Sequence, residues 1–305
     1  MSHTGSSNAV QPILIAAMAI WGLNVAAVKV LTGVFDPITL AALRMLVACA
    51  ALSIFVLWKG HRLPSMSLRR GTAIVICALL MVYLNQILFV EGLTRSTATN
   101  GALIMALSPL VSALLAAVAF RERLSASRLF GVALGFVGVA AVVLSHPGAG
   151  LSTAGVGDLM LVASVISFAA GGAIVQRLAR HMHTATISWA IYLVGAALLT
   201  LHAGLEAPAL DVAALFPGWR PWVFILFSGV MATALSNLVW NHAISRIGVA
   251  RTAVFLYWVP VFGVAFAALL LGERLTLWHL FGFLAVMCGT YLGTRRPLTP
   301  APICP

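Results

Sequence analysis

The sequence is poor in charged residues, and acidic residues are the scarcest of them. Only 8% of its 305 residues are charged, and Asp and Glu together number 7. Soluble domains carry about 25% charged residues, so this chain has too few charges to cover the surface of a soluble globule. Its hydrophobic content of 62% and mean hydropathy of +1.06 indicate a membrane protein.

The groups that carry enzyme chemistry are also missing. The four cysteines, Cys49, Cys77, Cys288 and Cys304, are scattered and form neither a metal-binding spacing nor a disulfide framework. The sequence has no Walker-type phosphate loop, no His-Glu-x-x-His, no Gly-x-Ser-x-Gly and no paired carboxylates inside its apolar runs. We therefore expect no enzymatic activity, no metal and no cofactor.

What the sequence does contain is a series of long apolar runs. Most have roughly 18 to 25 residues, enough to cross a bilayer core of about 30 Å as a helix. The ten runs are residues 12–31, 37–58, 71–93, 96–120, 129–144, 157–176, 184–204, 221–241, 249–271 and 277–293, the fifth being the short one. Because they lack the alternation of barrel strands, the predicted fold is all-α, with ten transmembrane helices.

The second half of the chain repeats the first. A constant offset of 151 residues aligns Pro109 with Pro260, residues 122–124 with 273–275, and residues 129–131 with 280–282. Two copies of a several-helix unit are a common way to build one binding site at their junction. The pattern predicts a first five-helix repeat at residues 1–147, a second at 148–296 and a disordered tail at 297–305.

The basic residues indicate how the bundle is oriented. If the N-terminus is cytoplasmic, thirteen of the 18 Lys and Arg residues lie on the cytoplasmic side: Lys59, Arg62, Arg69, Arg70, Arg121, Arg123, Arg128, Arg177, Arg180, Arg246, Arg251, Arg295 and Arg296. This positive-inside asymmetry predicts that both termini are cytoplasmic. The net charge of +11 therefore reports orientation, and no basic and aromatic face supports nucleic-acid binding.

Five helices in each repeat make the second repeat inverted with respect to the first. An inverted pair supplies two nearly equivalent states, in which a central site opens to one side or to the other. This favours a carrier that works by alternating access. The alternative is a rigid channel, which predicts a continuous polar stripe, whereas the polar groups here cluster near the middle of the spans.

Polar groups in the middle of the third and eighth spans are candidates for solute binding. Tyr83 and Gln86 share one helical face, and the repeat offset places Asn237 at the position equivalent to Gln86 and Asn241 on the same face. Asn85 and Ser236 form a second matched pair. The alternative is interhelical hydrogen bonding, which is common for such side chains in membranes.

The fourth and ninth spans carry the matched prolines. Pro109 and Pro260 lack an amide hydrogen, so each is predicted to kink its helix and to act as a hinge. Nearby, Asn100, Tyr257 and Trp258 are candidates for solute contact, and Trp258 would form an apolar wall. Aromatic side chains in such positions can also be core filler or interface anchors.

The first two spans add an indole, an amide and two cations. Trp21 and Asn24 lie about halfway along the first span and are further candidates for solute contact. Lys29 is close to the end of its span and is interpreted as structural, because it can snorkel. Arg44 lies deeper, about 10 Å inside by helical rise, and we favour a structural ion pair over contact with a substrate carboxylate.

The fifth and tenth spans are rich in glycine. Gly131, Gly135 and Gly138, with Gly282, Gly289 and Gly293 in the second copy, predict helix contact faces. These faces are candidates for packing within the chain or for a homodimer, so we expect a monomer or a homodimer.

Several of these features together resemble the drug/metabolite transporter superfamily, specifically its ten-helix EamA-type members. They are Trp21-Gly22-x-Asn24 with Lys29, the segment from Pro37 to Arg44, and the duplicated proline-containing span followed by Glu-Arg-Leu and a glycine-rich helix. The resemblance implies a bacterial inner-membrane carrier that exports small metabolites. Its cavity would be lined mainly by the first, third, fourth, sixth, eighth and ninth spans.

Within that superfamily the likeness is greatest to exporters of aromatic and other apolar amino acids; drugs, nucleotides and sugar-type metabolites are the alternative solutes. No Asp or Glu lies mid-span, since Glu91 and Asp158 are near span ends, which leaves His202 and His242 as candidates for proton coupling. We therefore expect facilitated or weakly proton-coupled export, with the solute and the lipid bilayer as partners.

Overall fold

The computed structural model describes residues 5–60, 67–120, 130–131, 133–135, 137–138, 141, 153–179, 181–206, 215–247 and 254–294. In these residues the regular secondary structure is entirely helical. Six of the described helices are long and apolar enough to cross a membrane, and three shorter ones are also apolar. The predicted all-α membrane architecture is confirmed. The count of ten helices and the cytoplasmic location of both termini remain predictions.

The first half begins with three long helices, α1 (Gly5–Leu31), α2 (Pro37–Trp58) and α3 (Leu68–Thr94). The Asp36 carboxylate caps α2 by accepting hydrogen bonds from the backbone amides of Ile38 and Thr39, at 3.1 and 3.0 Å. Pro37 occupies the first position of α2, where the missing amide hydrogen costs nothing.

The fourth predicted span is divided into α4 (Ala98–Met105) and α5 (Ser108–Phe120). Half of the fifth predicted span lies outside the described residues. The second half contains α6 (Thr153–Leu178), α7 (Thr184–Glu206), α8, α9 (Trp258–Leu271) and α10 (Leu277–Thr294). Helix α8 is continuous through Trp219–Leu226, Phe227–Leu235 and Ser236–Ile247, and a 3₁₀ turn at Val254–Tyr257 precedes α9.

Helices α3 and α8 each contain a π-helical segment, at Leu79–Leu84 and Phe227–Leu235. The two segments end at residues that differ by the repeat offset of 151, so the interruption is duplicated with the sequence. A π-helical turn leaves some carbonyls without the usual i+4 donor. Side chains of the other half use two of them: Ser167 donates to the Leu80 carbonyl at 2.7 Å, and Trp21 to the Ala232 carbonyl at 2.7 Å.

Helices of the two halves pack directly against each other. Helix α1 lies along α9, where a Cβ added at Gly22 would be only 2.7 Å from the Gly263 amide nitrogen. The predicted glycine faces also meet, since a Cβ at Gly138 would lie 2.8 Å from the Gly282 carbonyl oxygen. Glycine thus permits close contact of the fifth and tenth spans within one chain. The domain boundary at residues 147 and 148 remains a prediction.

A central cavity as the candidate solute-binding site

A cavity of about 120 Å³ lies between the helices, and it has room for several water molecules. The first, third, fourth, sixth, eighth and ninth spans all line it, and the second and seventh add Arg44 and Tyr192. The polar lining residues are Asn24, Arg44, Asn85, Gln86, Ser108, Ser164, Tyr192, Thr233 and Asn237. The aromatic and apolar ones include Trp21, Phe89, Phe168, Trp240 and Val259.

Arg44 is the one Lys or Arg side chain of the described lining, and it is buried, with 2% of its surface exposed. Its Nε donates to Ser228 Oγ at 2.5 Å, and its Nη1 donates to Gln86 Oε1 at 3.1 Å. Ser228 in turn donates to Asn24 Oδ1 at 2.5 Å. One guanidinium therefore links the helices α2, α3 and α8, and through Ser228 also α1.

The amides extend this network on both sides. Gln86 Nε2 donates to Asn85 Oδ1 at 3.1 Å, and Asn85 Nδ2 donates to the Ser164 carbonyl at 2.9 Å on α6. Asn237 Nδ2 donates to the Thr233 carbonyl within α8, at 2.7 Å. Gln86 and Asn24 thus both line the cavity and form hydrogen bonds to other helices.

Two indoles form one wall of the cavity. The hydrogen bond from Trp21 Nε1 to the Ala232 carbonyl fixes the orientation of the first ring. The ring of Trp240 lies beside it, with centroids 5.5 Å apart and planes inclined by 51°. Tilted aromatic pairs of this kind offer an apolar surface to a solute side chain.

Tyr83 does not line the cavity. Its hydroxyl forms a hydrogen bond with His202 Nδ1 at 2.9 Å, on α7. The π-helical segment explains the difference, because its wider turn changes the register of Tyr83 relative to Gln86. The helix-face argument, which assumed 3.6 residues per turn, placed these two side chains together.

Asn100 and Trp258 also lie outside the cavity lining. Asn100 is fully buried, and its Nδ2 donates to both carboxylate oxygens of Asp158, at 3.2 and 3.1 Å. Trp258 is 45% exposed and packs against Phe262, with ring centroids 5.9 Å apart. The side chains of Asn241 and Tyr257 lie outside the described residues.

The two proline positions are equivalent in the structure. Pro109 is the second residue of α5 and Pro260 the third residue of α9, and an interruption of the α-helix precedes each of them. A proline in the first turn of a helix removes a hydrogen bond that the turn does not make. Each interruption therefore ends within three residues of its proline.

Several lining residues escaped the sequence analysis. Trp240 could have been found by continuing the face of Asn237 by one turn of α8. Thr233 is a residue type too common in membrane helices to be singled out, and so is Ser228, which lies outside the described lining but accepts a hydrogen bond from Arg44. Arg44 was expected in an ion pair, yet among the described residues no carboxylate lies within ion-pair distance of its guanidinium.

One end of the bundle is closed by polar contacts. At this end, which we call the Lys29 end, α1, α3 and α9 end while α2, α4 and α6 begin. Lys29 Nζ donates to the carbonyls of Leu93 and Ser96, at 2.6 and 2.5 Å. The Glu273 carboxylate accepts from the first amides of α4, at 2.9 Å, and Ser96 Oγ donates to Asp158.

Within the described residues no cluster of three or more His, Cys, Asp or Glu side chains could hold a metal ion. The described residues of the cavity lining include neither Asp nor Glu and no cysteine. What the lining offers is hydrogen bonding, one positive charge and aromatic surface.

A helical membrane bundle with a polar cavity between two repeated halves is the architecture of a solute transporter. The profile of the EamA-like transporter family matches residues 11–144 and, a second time, residues 155–295. The chain belongs to this family and is a multi-pass membrane transporter.

Among its relatives is the "Uncharacterized transporter YetK" of Bacillus subtilis, 24% identical over 94% of this chain and 87% of that protein. A "Probable amino-acid metabolite efflux pump" of Escherichia coli is 26% identical, over 92% of this chain and 93% of the relative. A "Probable terminal-alkyne amino-acid exporter" of Streptantibioticus cattleyicolor is also 26% identical, over 93% of both chains. A crystal structure with 18% identity covers 94% of this chain with a TM-score of 0.66, and so has the same fold.

Proposed function

We propose that this transporter exports amino acids with aromatic and other apolar side chains from a bacterial cytoplasm, across the inner membrane. The central cavity is the observation that carries the proposal. It combines the indoles of Trp21 and Trp240 with the amides of Asn24, Gln86 and Asn237. Aromatic surface suits an apolar side chain, and hydrogen-bonding groups suit the backbone of an amino acid. The names of the efflux pump and the exporter add support.

Alternating access is the mechanism we propose. Helices of both halves contribute to the cavity, the π-helical segments are duplicated, and the helix interruptions before Pro109 and Pro260 are matched. Bending at the interruptions would open the closed Lys29 end and narrow the opposite end. With both termini cytoplasmic, the Lys29 end faces outward and releases the solute.

The proposed transport is facilitated, or coupled only weakly to protons. Acidic and histidine side chains are absent from the described lining of the cavity. A solute can therefore be bound without a titrating carboxylate in contact with it. Export then proceeds down the gradient of the solute itself.

A flux screen in proteoliposomes tests this proposal. Labelled phenylalanine, leucine, glucose and a nucleotide are loaded with and without a pH gradient, and saturation and competition are measured. We expect saturable flux of the two amino acids, at nearly equal rates in both conditions. Strict dependence on the pH gradient would contradict facilitated transport, and flux of glucose or the nucleotide alone would contradict the assigned solute class.

The same screen is repeated with Gln86→Ala, which removes an amide from the cavity wall. We expect a higher KM for phenylalanine, because a solute contact and the partner of Arg44 are both lost. Thr72→Ala is the matched control in the same helix, since its hydroxyl is exposed and bonds only to the Leu68 carbonyl in the described contacts.

A further inference from the structure

Arg44 is a buried cation whose described hydrogen-bond partners are neutral. Ser228 Oγ and Gln86 Oε1 accept its hydrogen bonds, and no carboxylate of the described residues pairs with it. A buried charge without a counter-charge is costly, and such residues in membrane proteins mark functional sites. The charge therefore requires an explanation that the fold alone does not supply.

The position of Arg44 is fixed by close packing. A Cβ added at Gly229 of α8 would lie 3.0 Å from the Arg44 carbonyl and 2.6 Å from Cγ1 of Val47. The backbones of α2 and α8 are thus in close contact next to the guanidinium. Its two hydrogen bonds use two of the five N–H donors of an arginine, and the side chain lines the cavity.

We infer that Arg44 binds the carboxylate group of the transported solute. A guanidinium matches a carboxylate in charge and in the geometry of its donors. The described lining has no acidic side chain that could pair with an ammonium group. The carboxylate is therefore the required group of the solute, and the ammonium is dispensable. The inference rests on the proposed function in taking an amino acid as the solute.

Two compounds of nearly equal size measure the contribution of the carboxylate to binding. 3-Phenylpropionate carries it without an ammonium group, and 3-phenylpropionamide replaces it by a neutral amide. Binding to the detergent-solubilised full chain is followed by tryptophan fluorescence, to which the lining residues Trp21 and Trp240 contribute. We expect the carboxylate to bind about 10- to 150-fold more tightly than the amide, the range for a hydrogen bond to a charged group.

The variants Arg44→Gln and Arg44→Lys test the role of the charge. Glutamine keeps a hydrogen-bonding side chain but removes the charge, so the preference for the carboxylate disappears. Lysine keeps the charge without the fork of donors, so part of the preference remains. Arg69→Gln, at an exposed helix start, leaves the preference unchanged. Thermal unfolding of each variant identifies those that are folded.

The outcomes separate the inference from the proposed function. A carboxylate preference that persists in folded Arg44→Gln, or that is absent from the natural protein, overturns the role of Arg44. Amino-acid flux that continues in that case leaves the proposed function intact. Arg44-dependent binding of 3-phenylpropionate without any amino-acid flux supports the role of Arg44 and overturns the amino-acid assignment. If Arg44→Gln does not fold, a reduced preference in Arg44→Lys supports the inference and an unchanged preference overturns it.

Discussion

Trp21 has two roles at one position, since its ring lines the cavity and its indole N–H holds α8. The acceptor, the Ala232 carbonyl, lies in the π-helical segment of the other half. Hydrogen bonds between membrane helices are worth about 0.6 to 2 kcal/mol. The two roles can be separated by a substitution that keeps an aromatic ring and removes the donor.

Trp21→Phe is such a substitution. We expect the free energy of unfolding to fall by about 0.6 to 2 kcal/mol, and the KM for phenylalanine to rise because the remaining ring is no longer held in place. Unfolding in detergent and proteoliposome flux measure the two effects. Trp278→Phe is the control, since Trp278 is 57% exposed on α10. Equal stability of Trp21→Phe and the natural protein would show that the bond contributes nothing.

Of the polar residues predicted to contact the solute, Gln86 and Asn237 line the cavity, whereas Tyr83 and Asn100 do not. Gln86 and Asn237 follow the π-helical segments and line the cavity. Tyr83 lies inside such a segment and contacts His202 instead. The hydropathy and spacing of a sequence do not show where an α-helix changes to a π-helix, because this change depends on hydrogen-bond donors and packing in other helices.

At the scale of elements, glycine determines how closely helices of the two halves approach. At Gly22 a Cβ would lie 2.7 Å from the Gly263 amide nitrogen, which belongs to the backbone and cannot easily move. At Gly172 of α6, the position equivalent to Trp21 in the repeat, nothing lies within 4 Å of an added Cβ. Two glycines in long apolar helices thus have opposite surroundings.

Gly22→Ala and Gly172→Ala form a matched pair. We expect Gly22→Ala to lower the free energy of unfolding by about 1 to 3 kcal/mol, as overpacking does. Gly172→Ala is expected to be neutral or to stabilise by up to about 1 kcal/mol, because alanine favours the helix. Thermal unfolding of both variants in the same detergent measures the two changes in stability. Similar destabilisation by both variants would contradict the role given to the contact of α1 with α9.

At the scale of the whole molecule, the described residues form different contacts at the two ends of the bundle. The Lys29 end is tied by hydrogen bonds from Lys29 to the end of α3 and from the start of α4 to Glu273. At the other end, a pocket of about 490 Å³ lies between α1, α2, α7 and α8, and Lys59, His183 and His242 are among its lining residues. This asymmetry is what one state of an alternating-access cycle requires, and the proposed cycle must open the Lys29 end.

A disulfide across the Lys29 end tests that requirement. Ser96 Oγ donates a hydrogen bond to the Asp158 carboxylate, so the two side chains meet across this end and are the pair to replace by cysteines. In a background without the natural cysteines, we expect oxidation of Ser96→Cys with Asp158→Cys to stop phenylalanine flux and a reductant to restore it. Each single-cysteine variant is the control. Undiminished flux through the oxidised double variant would contradict opening at this end.

The sequence by itself determined that the chain is a helical membrane protein with an internal repeat, because hydropathy, run length and the matched prolines are local properties. It also located the amides of the cavity, since mid-span polar residues are costly in lipid. Only the tertiary structure decided which side chains meet. Arg44 bonds to a residue 184 positions away, and Asn100 to one 58 positions away. Such partners depend on helix register and packing, which no single helix contains.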